Sequence, residues 1–184
     1  ASRQRALYES APLIYIWDDH DFGVNDGGKA FPKKAASRDL MFEFLGVPKD
    51  NPAWQREGAY QSYTYGEGDQ KVKVILLDAR YFRDALAKAP LNSDDRYARQ
   101  VKGDVLGATQ WAWLTKELAE SDAAFNIIGC GIQMIPEDHG WEKWANFTEE
   151  RQKLFQTIAQ SQAKGVILLS GDRHIAELSK IEVD

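Results

Sequence analysis

The sequence predicts a layered α/β fold of the α+β sandwich kind, a mixed β-sheet flanked by helices. Three observations carry this. Short apolar runs of strand length alternate with segments of helical periodicity. Two of the runs are joined by a hairpin, so the sheet is mixed rather than wholly parallel. Four apolar runs each deliver polar groups at their carboxyl end: Asp18, Asp19 and His20; Asp78 and Arg80; Gln133; Asp172 and His174. In open α/β sheets the ligand crevice lies outside the carboxyl ends of the strands, so these groups are expected to converge.

Taken in order, residues 1–11 read as a helix end, with Leu7 and Tyr8 on one side, and Pro12 introduces the first strand. That strand, Leu13-Ile14-Tyr15-Ile16-Trp17, consists of aliphatic and aromatic residues and is expected to be buried on both faces. Ser37 caps a helix over 38–45, with Leu40, Met41, Phe44 and Leu45 as its apolar side; Gly46 and Pro48 end it. The hairpin comprises a strand around 60–65, the turn Gly66-Glu67-Gly68-Asp69 and a strand over 72–77. Residues 90–107 form a long polar loop. A helix from Thr109 to Glu120 places Trp111, Leu114 and Leu118 at helical spacing, with Thr109 as its cap. Buried strands follow at 125–129 and 165–170. Between them lie a tryptophan-bearing loop and a helix over 148–162, capped by Thr148, with Leu154, Phe155, Ile158 and Ala159 inward. Residues 176–183 read as a further strand. Without a repeat, low-complexity tract or internal boundary, residues 1–184 are expected to form one domain.

Composition narrows the function. The formal net charge is −5, which argues against a general nucleic-acid or anionic-membrane surface. No run of 18 apolar residues exists, so no membrane span is expected. Cys130 is the only cysteine, so no internal disulfide forms. It is expected to be a small buried residue near the sheet end, not a nucleophile.

The chemistry gathers where apolar runs stop. Asp18, Asp19 and Asp21 surround His20 within four positions, followed by a loop rich in glycine and asparagine, and Asp172 and His174 follow the last apolar run. Crowded carboxylates raise one another's pKa unless a positive charge sits among them. Two such clusters, each with an imidazole and each at a strand end, point to a metal site built from oxygen and nitrogen ligands. Arg80, Arg83 or Arg173 suit an oxyanion, since a guanidinium fork fits two of its oxygens. For Arg80 an ion pair with Asp78 or another loop acid is the competing reading. His139 is expected to be a surface histidine, and Gln110 and Gln133 are expected to close backbone gaps.

Trp17-Asp18-Asp19-His20-Asp21, with Gly23, Asn25 and Asp26, resembles the signature of the alkaline phosphatase D (PhoD-like) metallophosphatase family. Leu77-Asp78-Ala79-Arg80-Tyr81-Phe82-Arg83, Leu106-Gly107-Ala108-Thr109-Gln110-Trp111-Ala112-Trp113-Leu114 and Ser170-Gly171-Asp172-Arg173-His174 are similar to three further motifs of that family, in its order. The resemblance implies a metallophosphoesterase-like fold, mixed sheet layers with flanking helices, present here incomplete. It implies Asp19, Asn25, Asp172 and His174 as metal ligands, His20 as general acid, Arg80 and Arg173 as substrate-binding residues, and Asp18 and Asp21 as residues that orient the others. The implied reaction is hydrolysis of phosphate mono- or diesters by a metal-activated hydroxide. The implied cofactors are calcium with iron, or manganese or zinc, and the partner is a small phosphate ester. By family analogy the location is periplasmic or secreted. The family's earlier metal motifs do not occur before Pro12, so the chain is expected to be an internal piece of a longer enzyme, a partial catalytic domain. The alternative is a folded fragment with no activity of its own.

Overall fold

A computed structural model describes residues 10–11 and 13–183. The helix end expected over 1–11 therefore falls outside the described residues, apart from Ser10 and Ala11. Four strands, β1 (Gln61–Tyr65), β2 (Val72–Leu77), β3 (Phe125–Cys130) and β4 (Val166–Ser170), form one sheet in the order β1-β2-β3-β4. Strand β1 pairs antiparallel with β2, whereas β2, β3 and β4 run parallel, with Leu77 opposite Cys130 and Cys130 opposite Ser170. The carboxyl ends of the three parallel strands thus lie side by side along one edge. The mixed α/β architecture is as expected, and so is the hairpin.

Helices α1 (Asp19–Phe22), α2 (Lys34–Phe44), α3 (Gly107–Ala119) and α4 (Thr148–Ala159) complete the fold. The parallel pairs need crossovers, which α3 and α4 supply. Their stripes Trp111, Leu114 and Leu118, and Leu154, close over Ile75, Leu77 and Ile128 in the main core. A smaller core forms around Trp17, Phe22, Met41, Phe42 and Tyr81. Single-methylene changes register in such interiors because they are packed to crystal density.

Several local expectations are corrected. Leu13–Trp17 takes part in no strand pairing; Leu13 is 43% and Tyr15 36% exposed, and of the five only Trp17 is buried. An apolar run reports a tendency to be buried, whereas a ladder needs a neighbour elsewhere in the chain. Strand β4 is not buried on both faces. It lies at the sheet edge, with Val166 and Leu168 against the core while Ile167 and Leu169 are 45% and 55% exposed. That alternation is the period of two expected of a strand covered on one side. Residues 176–183 form no strand. On α2 the buried residues are Met41 and Phe42; Leu40 and Phe44, one helical turn apart, share an outward face.

The expected caps also differ. Ser37 lies inside α2, and Thr148 is the first residue of α4. Helix α3 begins two residues before Thr109, where the Asp104 carboxylate accepts from the Gly107 amide at 2.6 Å. Ala159 of α4 is exposed. No helix among the described residues is long and apolar enough to cross a membrane.

Candidate metal centre

Asp78 ends β2 and serves as the joint on which the site is assembled. Its carboxylate accepts from Trp17 Nε1 at 2.9 Å, from the Ala59 amide at 2.8 Å, and from the Arg80 and Tyr81 amides at 3.0 Å. Gln110 of α3 spans the same backbone, its Oε1 accepting from Asp78 N and its Nε2 donating to Asp78 O, both at 2.9 Å. Gln110 therefore closes a backbone gap, as expected. Buried polar groups fully paired in this way fix one arrangement of their surroundings. Through Trp17, this arrangement sets the position of the segment that begins at Asp18.

Asp18, Asp19 and Asp172 each place a carboxylate oxygen within 4.8 Å of the other two. The loop ends that bring them together demand unusual backbone. A β-carbon on Gly131 would lie 2.9 Å from both Asp18 Oδ1 and Trp17 O, so the residue following β3 must be glycine for Asp18 to approach. Asp26, Asp172 and His174 adopt left-handed φ of 51°, 75° and 53°. Such conformations cost non-glycine residues about 1–3 kcal/mol each and cluster at functional sites.

The three carboxylates are not equivalent. Asp19 is buried, which opposes its ionisation, yet the Asp26 amide (2.9 Å), the charge of Arg80 and the His20 amide (2.7 Å) together hold its pKa below the ordinary value. Asp172 is pushed up to about 6, by burial first and then by Asp18, with Arg80 opposing. Asp18 accepts from Arg80 Nε at 3.1 Å and makes a second, closer contact with the same guanidinium. Asp21 accepts from the Asp18 amide at 3.1 Å and from the Tyr15 hydroxyl, so it holds both ends of the segment.

The other candidate residues stand around this group. Arg80 is about 1% exposed and is taken up by Asp18, by the Gly27 carbonyl at 3.3 Å and by Glu142 at 2.7 Å. Arg83, equally buried, pairs with Glu142 at 2.9 Å and donates to the Gly27 carbonyl at 2.7 Å. The His20 side chain is 81% exposed, with Nε2 4.0 Å from Asp19 Oδ1. Asn25 is exposed and donates to Asp26 Oδ2 at 2.7 Å. His174 is exposed and lies outside the carboxylate group. Arg173 lies over the Trp141 ring, 5.5 Å from its centroid.

His139 is half-buried, a correction to the expected surface histidine, and its pKa is pushed down to about 4 by burial and then by Lys143 and Arg173. Cys130 is buried, accepts from Trp144 Nε1 at 3.3 Å, and is pushed up to about 11 by burial, which keeps it an inert thiol. Glu142, whose carboxylate joins Arg80 to Arg83, escaped sequence reading. Its only mark in the sequence is a position between Trp141 and Trp144.

Oxygen donors converging from two loops at the carboxyl edge of a parallel sheet suit a hard cation. The raised pKa of Asp172 is the electrostatic counterpart, because a cation there would offset both the burial and the Asp18 charge that raise it. Fold and site together thus define an α/β protein with an acidic, cation-suited cluster of carboxylates.

Comparison with known proteins gives the family. A model described as PhoD-like phosphatase matches residues 2–184, and the chain belongs to that family. It is 24% identical over 202 residues to alkaline phosphatase D of Bacillus subtilis (strain 168), covering 98% of this chain and 34% of that protein. A solved structure described as "Structure of PhoD" superposes with a TM-score of 0.68 at 23% identity, covering 86% of this chain and 34% of that one. The chain therefore spans about a third of the length of the relatives it matches, and the structural likeness establishes the shared fold.

Proposed function

We propose that this chain carries part of the catalytic domain of a metal-dependent phosphatase acting on small phosphate mono- or diesters. The observation that supports the reading best is the convergence of Asp18, Asp19 and Asp172 at the edge where β2, β3 and β4 end. Asp19 and Asp172 would hold the ion, with Asn25 and His174 drawn in from the adjoining loops. Calcium fits the oxygen donors, and an imidazole from His174 would widen the choice to iron, manganese or zinc. Such an ion, when bound, supplies Lewis acidity and a nucleophile at neutral pH.

The chain's own residues would do the rest. Asp19, held ionised by two backbone amides and the nearby Arg80 charge, keeps its charge under acid conditions that neutralise Asp172. Asp21 and Arg80 orient Asp18 from opposite sides. Arg173, on the loop beside Asp172, would neutralise charge on the non-bridging phosphate oxygens. His20, solvent-facing and next to Asp19, would give a proton to the leaving oxygen, an effect worth about 10²–10⁴ in rate.

A second reading has support in two observations. Both His20 and His174 face solvent, so the converged group contains carboxylates alone, and the chain covers only 34% of its relatives. On this reading the chain folds and binds a cation but does not turn over substrate. Hydrolysis of p-nitrophenyl phosphate and bis(p-nitrophenyl) phosphate, measured with added calcium and iron salts beside calorimetric cation binding, separates the two. Cation binding with turnover supports the first reading, binding without turnover the second, and the absence of both removes each.

A further inference from the structure

In the loops that follow β3 and β4, two buried nitrogens find no hydrogen-bond partner among the described residues: His139 Nε2 and Arg173 Nε. They belong to one cluster. The Trp141 amide donates to His139 Nδ1 at 3.2 Å, and the Arg173 guanidinium lies over the Trp141 ring at 5.5 Å. Arg173, Lys143 and Glu177 are all near enough to His139 to act on it electrostatically.

The polarity of both orphan atoms is fixed. With Nδ1 accepting, the neutral imidazole carries its hydrogen on Nε2, and a guanidinium nitrogen can only donate. A buried donor left unpaired loses its bond to water and gains nothing in return. Two such donors on neighbouring side chains, in a region also carrying Arg96 at 5.9 Å from the Trp141 ring, call for an acceptor with negative charge. Lys143 is turned away from this task, since its ammonium is bound to the His139 and Trp141 carbonyls.

We propose that His139 Nε2–H and Arg173 Nε–H form an oxyanion subsite that receives a non-bridging oxygen of the substrate's phosphoryl group. The inference rests on the phosphoester reading and extends it to His139, a residue outside the four family-like motifs. Arg173 follows Asp172 directly in sequence, so the two stand on the same loop after β4. His139 acts as a neutral donor because it stays unprotonated at working pH, and Trp141 keeps the imidazole and the guanidinium in register.

The test uses the uniformly ¹⁵N-labelled chain, which reports both the backbone amides and the ring nitrogens of its three histidines, titrated at pH 7.5 with phenylphosphonate, with and without calcium. A saturable shift of the His139 Nε2 resonance is expected. Arg173→Met and His139→Phe should each weaken binding about tenfold, one hydrogen bond to a charged group. His139→Gln, which retains an amide donor, should recover part of the loss. Phosphonate binding that moves the Gly171 and Asp172 amides but leaves His139 unchanged would overturn the subsite and spare the phosphoester reading. No histidine shift under either condition would also overturn it, with hydrolysis of the chromogenic esters then judging the broader reading alone. If either variant melts early, the wild-type resonance decides.

Discussion

Arg80 and Glu142 form an ion pair at 2.7 Å with both side chains about 1% exposed. The pair is not isolated. Arg80 reaches on to Asp18, and Glu142 also takes Arg83 at 2.9 Å, so a chain of alternating charges runs from the interior to the rim of the carboxylate group. Burial discourages a lone guanidinium, but Glu142 and then Asp18 outweigh that and hold the Arg80 proton more tightly than usual.

Removing one partner from such a pair strands the other's charge. Glu142→Leu should therefore destabilise the fold by about 3–5 kcal/mol, read from the midpoint of urea unfolding. Glu142→Asp should recover part of that. Equal stability of the Leu variant and wild type would show that the two arginines are satisfied without Glu142.

Asp172 should display opposite effects on stability and binding. Asp172→Asn removes a carboxylate pressed against Asp18 and Asp19, so the metal-free chain should be as stable as wild type or slightly more so. Its calcium affinity should fall about tenfold or more. Calorimetry and thermal melts on the same samples check both halves.

The pH dependence of stability should include two contributions of opposite sign from Asp172 and His139, beside that of Glu142, whose carboxyl is pushed up to about 7 by burial. Asp172 has a folded pKa of about 6, above its ordinary value of 3.8. The folded chain then binds the extra proton, and this contribution is present below pH 3.8 and lost as pH rises through about 6. His139, lowered from 6.5 to about 4, works the other way: the unfolded chain binds the extra proton, and stability falls as pH drops through that window. In metal-free protein, Asp172→Asn should make the first slope shallower, leaving the Glu142 part, and His139→Gln should reduce the second, measured by chemical unfolding at stepped pH.

Gly131→Ala tests the packing of the site. The added methyl would meet Asp18 Oδ1 and the Trp17 carbonyl at 2.9 Å, forcing the segment outward at a cost of about 1–3 kcal/mol. Cation affinity should fall with it. A variant with wild-type affinity would show that Asp18 has room to shift without disturbing its neighbours.

Much of this molecule was legible in its sequence. The hairpin and the stripe of Trp111, Leu114 and Leu118 follow from periodicity, because side-chain direction repeats every two or 3.6 residues, and the parallel strands, expected at 125–129 and 165–170, follow from short apolar runs. The convergence of Asp18, Asp19 and Asp172 was likewise legible from their positions just after apolar runs. What could not be read depends on partners distant in sequence. Leu13–Trp17 has the composition of a strand without a strand to pair with, and Arg80 is committed to Glu142, 62 positions away. Composition assigns a side chain its chemistry, but only packing decides whether that chemistry faces a ligand or another side chain.

The left-handed backbone at Asp172, with φ of 75°, sets heat resistance against ligand binding. Glycine would relax that residue and at the same time delete a carboxylate that its neighbours repel, so Asp172→Gly should unfold at a higher temperature. A laboratory screen that rewarded survival on heating alone would collect such changes, leaving robust proteins whose remaining carboxylates capture a cation more weakly.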